Sequence, residues 1–132
     1  MEISKKVAKE QLEKLLDYYD YEYKDLDDMS KKYADKILKS IMKGRVEVSD
    51  TGEIKHFLKY PLGNNKDIKE LTYGHMKGIH KQEMDEYGAD SHNAKGQALM
   101  GALCGRGLSI IEELEGPDLS VVENLGILLL GL

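Results

Sequence analysis

The sequence predicts an α+β fold that is mostly helical, with N-terminal helices, one β-hairpin at about residues 45–60 and a C-terminal helical bundle. Three observations predict it. Apolar and aromatic residues recur at steps of three and four from Ile3 to Met42, the spacing of a single helical stripe. The pattern then changes to alternation, in Arg45–Ser49 and again in Ile54–Tyr60. Helical spacing with cap signals returns after Asp67 and continues to Leu132. The change of pattern divides the chain into a helical extension, 1–43, and a hairpin-plus-helix domain, 44–132.

Within the extension, Asp25, Asp27, Asp28 and Ser30 interrupt the stripe. Short side chains that bond nearby backbone favour caps over helix interiors, so the reading is two helices. Tyr19 and Tyr23 are placed toward the core. Lys43-Gly44 ends the second helix, a cation at the dipole's negative end followed by a residue free to take the left-handed cap. Asp50-Thr51-Gly52 closes the hairpin, and Pro61 is expected to end its second strand by removing a ladder donor. Ile68–Thr72 reads as a short strand or a turn, leading into a helix around Tyr73–Tyr87 closed by Gly88. Ser91 opens a helix through Leu103 and Cys104, stopped by Gly105-Arg106-Gly107. Ser109-Ile110-Ile111-Glu112 has the form of a capping box, opening a short helix that stops at Gly116-Pro117. The last helix is capped by Ser120 or Asp118.

Composition narrows the function. The chain has 132 residues, with 24 Asp plus Glu against 19 Lys plus Arg, a formal net charge of −5. An acidic balance without a basic tract gives no electrostatic reason to expect nucleic acid or an anionic membrane as partner. One cysteine excludes an internal disulfide framework and fits a reducing compartment. The N-terminal residues lack the apolar region of a signal peptide, and Leu125–Leu132 is far too short to span a bilayer. The expectation is a soluble intracellular protein.

The constellations that invite chemistry are weak. His75, His80, Glu83 and Glu86 suggest a metal, and His75, His80, Glu83 and His92 a small metal-dependent enzyme. However, histidines five apart sit ~140° apart around a helix and do not share a face. His80 and Glu83 do share one, but two ligands are too few for a tight zinc site. Cys104 lies near a helix C-terminus, where the dipole raises a thiol pKa, and nothing places it or Ser91 against His92 with an orienting carboxylate. No catalytic, cofactor-binding or metal-binding residue is assigned, and the chain is read as non-enzymatic. Gly74, Gly78, Gly96 and Gly101 lie in helical patterns at a cost of ~1 kcal/mol each relative to alanine, which close helix packing explains.

Two features point to protein partners. Asp17–Tyr23 sets four tyrosines among three acids, with Tyr18 and Tyr21 expected to be partly exposed. The run Gly126–Leu132 is apolar nearly all round, so it is buried by its own fold, by a second copy or by a client. The candidate partner-binding residues are Tyr18, Tyr21, Leu99, Leu103, Ile110, Ile111, Leu114, Leu125, Leu128 and Leu129, with several of the apolar ones also serving the core.

From Gly44 onward the order of elements resembles the tail assembly chaperones of long-tailed bacteriophages. The resemblance is carried by Gly52 through Leu58-Lys59-Tyr60-Pro61-Leu62, then Ile68-Lys69-Glu70-Leu71-Thr72 and the small-residue segment Ala98–Leu103. Leu108–Leu114, Asp118-Leu119 and an apolar C-terminal helix follow. The resemblance covers about two thirds of the chain. It departs at Tyr73-Gly74-His75, where many members carry an arginine-containing segment, and in the extension 1–43. It implies a non-enzymatic protein of the bacterial host cytoplasm that binds the tape measure protein, keeps it soluble and helps recruit major tail protein subunits. The rival reading is a structural phage protein of the tail, neck or baseplate.

Overall fold

A computed structural model of the chain describes residues 2–84 and 92–132. The fold is α+β and mostly helical, with six α-helices and a three-stranded antiparallel sheet among the described residues. In order these are α1 (Lys5–Tyr18), a 3-10 turn (Tyr23–Asp25), α2 (Asp28–Met42), β1 (Val46–Val48), β2 (Ile54–Leu62) and β3 (Ile68–Tyr73). After the sheet come α3 (Gly78–Met84), α4 (His92–Leu103), α5 (Leu108–Glu112) and α6 (Gly116–Leu130).

The break in the N-terminal stripe is real and starts earlier than the acids alone indicate, because α1 already ends at Tyr18. Asp27 caps α2, its carboxylate accepting from Ser30 N at 2.7 Å. Ser4 does the same for α1 with Val7 N, at 3.3 Å. The two helices return on each other as an antiparallel hairpin, pinned where Ile3 N donates to Met42 O at 2.8 Å. One side of this hairpin packs on β1 and α6, so residues 1–43 dock on the rest of the chain and share its core. Tyr23 is 40% exposed and donates to Asp35 rather than facing the core.

The sheet has the order β1-β2-β3. Its buried face consists of two cross-strand rows, Val46–His56–Leu71 and Val48–Ile54–Tyr73. Ile68–Thr72 is therefore a true strand, extended to Tyr73, and Tyr73 does not begin a helix. Pro61 does not end β2, which runs one residue further to Leu62. The reason lies in the register. From Phe57↔Glu70 to Leu62↔Ile68, β2 advances five residues while β3 retreats two, so residues 58–61 leave the β3 ladder. A proline inside that bulge removes no sheet hydrogen bond.

Two helix starts also differ from expectation. The N-cap of α5 is Gly107, at φ 78°, and Ser109 lies inside the helix, so the capping box does not form. Helix α6 begins at Gly116, with Pro117 in its first turn, where a missing N–H costs nothing. Neither Asp118 nor Ser120 caps it. The expected cap Ser91 and stop Gly88, together with Glu86, lie outside the described residues.

The core sits between the sheet, the hairpin and the α4–α6 pair. Leu125, Leu128 and Leu129 are fully buried, so the apolar C-terminal run is covered by its own fold. Gly96 and Gly126 bring the backbones of α4 and α6 into contact, and Gly101 lies against the backbone of Gly107. These positions match the packing expected of helical glycines. Gly74 has one ordinary contact and Gly78 none, and neither lies within a packed helix interface.

Candidate functional site

Three polar side chains lie in the interior where the sheet meets α6. His56 is 0% exposed, Tyr73 0% and Asp118 1%. His56 sits on the buried face because it follows Ile54 by two residues, and Asp118 because it occupies the first turn of α6 over the β2 bulge. The Asp118 carboxylate accepts from Lys59 N at 2.9 Å and from Tyr60 N at 3.0 Å, two strand donors in the bulge that β3 does not reach. His56 Nδ1 lies 3.1 Å from the Tyr73 hydroxyl, while Nε2 has no hydrogen-bond partner and lies 3.7 Å from Asp118 Oδ1. The tautomer with its proton on Nε2 suits both sides: Tyr73 O–H donates to Nδ1, and Nε2–H points toward the carboxylate rather than setting a lone pair against it.

A Tyr–His–Asp string has the composition of a proton relay. His56 and Tyr73 are 0% exposed, and the string ties the sheet to the first turn of α6. Burial pushes His56 down to about 4, opposed by Asp118 and reinforced by Arg45, and it raises Tyr73 above the ordinary tyrosine value. The imidazole is therefore neutral in the folded protein at pH 7. The unfolded chain, with an ordinary histidine near 6.5, binds the extra proton first. Stability contributed by neutral His56 is present above pH 6.5 and is lost as pH falls from 6.5 toward 4, by up to about 3 kcal/mol. Urea midpoints measured between pH 7 and 4.5 should fall in this window, and His56→Gln should flatten that part of the curve.

The residues singled out from sequence as partner contacts divide sharply. Leu99, Ile111, Leu125, Leu128 and Leu129 are 0% exposed, and Leu103, Ile110 and Leu114 are each 8% exposed. All eight are core residues, and a surface role for them is corrected by their burial. An apolar stripe on a helix looks the same in sequence whether it meets its own sheet or a client. Tyr18 is 47% exposed but engaged: its ring stacks on His75 with centroids 3.7 Å apart. Tyr21 is half-buried and donates to Leu132 O at 3.3 Å.

The metal candidates are dispersed. His75 Nε2 is 2.8 Å from Thr51 O, and His80 Nδ1 accepts from Lys77 N at 2.8 Å. Glu83 and His92 are exposed on α3 and α4. Among the described residues no three His, Cys, Asp or Glu side chains are placed to hold one ion. Burial raises the Cys104 thiol above its ordinary value, and the sulfur donates to Gly101 O at 3.3 Å. No described helix is long and apolar enough to cross a membrane.

Among the described residues one open concave surface is a groove of about 690 Å³ along the outer side of the α1–α2 hairpin. Leu12 and Leu16 form its floor, and Leu38 and Met42 its far wall. The rim is split by sign: Lys5, Lys9 and Lys39 stand at the end where α1 starts, with Glu13 and Asp35 nearer the middle. Tyr23, tied to Asp35 by a 2.9 Å hydrogen bond, closes the other end. Such a groove, with apolar residues below and charges above, has the layout that holds one face of an amphipathic helix. The sequence reading placed Leu12, Leu16, Leu38 and Met42 in one helical stripe. It could not show that folding the stripe back on itself leaves a channel between its halves.

No protein-family model matches the chain, and neither a curated protein nor a solved structure matches it.

Proposed function

We propose that this chain is a non-enzymatic binding protein for a helical client, acting as a bacteriophage tail assembly chaperone that holds the tape measure protein and helps recruit major tail protein subunits. The observation that carries the reading is the hairpin groove, with its floor of Leu12 and Leu16 and its charged rim. A long, apolar, helical client offers turn after turn of surface to such a groove. Affinity then comes from apolar area removed from water at ~25 cal/mol per Å², with no catalytic residue required. The order of elements from Gly44 onward supports the client's identity by resemblance. The groove itself belongs to the extension 1–43, which would make client capture a property of the extension.

The test is a pull-down of the tagged chain from its infected or induced host, read by mass spectrometry, beside the double variant Leu38→Glu/Met42→Glu. Both positions are half-buried on the groove wall, so the variant should keep the circular dichroism spectrum of the parent. Recovery of a long helix-rich tail protein by the parent, reduced at least tenfold with the variant, is the expected result. Recovery of mature virion proteins alone would favour the structural rival, and equal recovery by both proteins would remove the groove from the account.

A further inference from the structure

One cleft gathers positive charge from α2, β2 and α6. It has a volume of about 410 Å³, lies where the second half of α2 meets β2 and the start of α6, and is lined by Lys36, Lys39, Lys43, Arg45 and Lys59. The one carboxylate that lines it, Asp118, is already committed to Lys59 N and Tyr60 N. Among the described residues these five cations form no ion pair; Lys36 and Lys59 rest over the Tyr33 and Tyr60 rings, which leaves their charges uncompensated. Pro117, Asp118 and Ser120 bring the first turn of α6 into the same wall, and this helix has no side-chain cap, so its positive dipole end adds to the field. Like charges gathered in this way repel one another, and the fold gains no tertiary ion pair in return.

The occupant that suits this field carries several negative charges within a short span. A long nucleic-acid backbone is disfavoured, because a molecule of net charge −5 repels it beyond the cleft. A short acidic stretch of polypeptide meets the local excess of cations alone. Pro117, exposed among the charges, offers apolar surface to side chains that flank the acids. Position indicates which polypeptide this is, since Lys39 lines both the cleft and the hairpin groove. Ile3 N donates to Met42 O, so the start of α1, with Lys5 and Lys9 on the groove rim, stands beside the end of α2 that carries Lys43. A chain leaving the groove at that end meets Lys39 and Lys43 on its way to the cleft.

We propose that the cleft holds an acidic flank of the client, a short run of Asp or Glu adjoining the helix that lies in the groove. The inference rests on the client reading and adds a charge requirement to it. The groove supplies apolar area but little direction, because an amphipathic stripe offers much the same surface from either end. The acidic flank fixes which end of the client helix lies toward Lys5 and Lys39, and so sets the polarity of the bound client. Attraction between exposed charges is screened, so this part of the affinity falls with salt.

Fluorescence anisotropy with labelled synthetic peptides reads it. The probes are an amphipathic, leucine-bearing helix alone and the same helix with a short run of glutamates at its N-terminus or at its C-terminus. In ~20 mM salt one flanked peptide should bind the parent at least tenfold more tightly than the bare helix, and the other should stay close to it. The gain should vanish in ~0.5 M salt and in Lys36→Gln/Lys43→Gln/Lys59→Gln, which should keep the parent's circular dichroism and its affinity for the bare helix. Lys36→Arg/Lys43→Arg/Lys59→Arg should retain the gain, and Leu38→Glu/Met42→Glu should lose the bare helix. No gain from either flank, equal gain from both, or a gain that survives in the glutamine variant overturns the inference and leaves the groove reading standing. A bare helix that does not bind the parent, or binds the groove variant as well, overturns the groove reading and the inference with it. Displacement of the flanked peptide by a single-stranded oligonucleotide at lower concentration than by poly-glutamate also overturns the inference, by assigning the cleft to nucleic acid.

Discussion

Replacing Asp118 with alanine is expected to destabilise the protein by about 3 kcal/mol, close to 10 °C in melting temperature for a chain of this size. Two backbone donors, Lys59 N and Tyr60 N, lose their acceptor at once. No strand can replace it, because residues 58–61 stand off the β3 ladder and Pro61 keeps the bulge from re-pairing. A competing term favours the variant: a carboxylate that is 1% exposed no longer has to be desolvated. The lost acceptor should dominate, since both oxygens are used and the charge also lies in the first turn of a 15-residue helix, at the favourable end of its dipole. Asp118→Asn retains one acceptor but turns an amide N–H₂ toward the other donor, and it should fall between alanine and the parent. Ser120→Ala, exposed one turn-edge away, should stay within about 0.5 kcal/mol of the parent. Chemical denaturation of the four proteins side by side gives the ranking. An alanine variant as stable as the parent would mean that the bulge donors have another acceptor.

This carboxylate also marks where the sequence stops being readable. The fold class is visible because periodicity is a local property. The stripe from Ile3 to Met42, the alternation around Gly52 and the cap at Asp27 each specify a few consecutive residues, and each appears in the structure. His56 was legible in part, since alternation with Ile54 and Leu58 puts it on the buried face. What it bonds to was not. Its neighbours Tyr73 and Asp118 are 17 and 62 positions away along the chain, and nothing in one segment's composition announces the other. The bulge that lets Pro61 stay within β2 is likewise a relation between two strands.

The candidate surface was misplaced for a related reason. Leu99, Leu125, Leu128 and Leu129 are conspicuous as apolar residues, and conspicuous apolar residues are first of all core. The open groove of this charged chain is found by geometry, in the seam between two helices that bury their best side elsewhere. Once α1 turns back against α2, Lys36, Lys39 and Lys43 line one cleft together with Arg45 and Lys59, while Asp17, Asp20, Glu22 and Asp25 share a corner with Lys24.

The helical glycines allow the sharpest comparison, because propensity and packing predict opposite signs for the same substitution. In a helix interior alanine is favoured over glycine by ~1 kcal/mol, so Gly96→Ala and Gly126→Ala should both stabilise if intrinsic preference decided the outcome. At Gly126 a Cβ would stand 2.5 Å from Gly96 Cα and 2.6 Å from Gly96 O. Backbone cannot rotate aside as a side-chain end can, so α4 and α6 would have to separate. That opens contacts around Leu99, Leu125 and Leu129 on both helices, all of them fully buried. Overpacking of this kind costs more than the propensity gain, and Gly126→Ala is expected to lose about 3 kcal/mol net. At Gly96 the added carbon would meet Gly126 C at 3.3 Å, a contact that a few tenths of an ångström relieve. Gly96→Ala should therefore lie within about 1 kcal/mol of the parent, the two effects nearly cancelling. The difference between two chemically identical substitutions, read as urea midpoints, isolates the α4–α6 approach from helix propensity. Equal midpoints would show that the helices do not meet backbone to backbone at these glycines, and α6 would then need a different seat in the core.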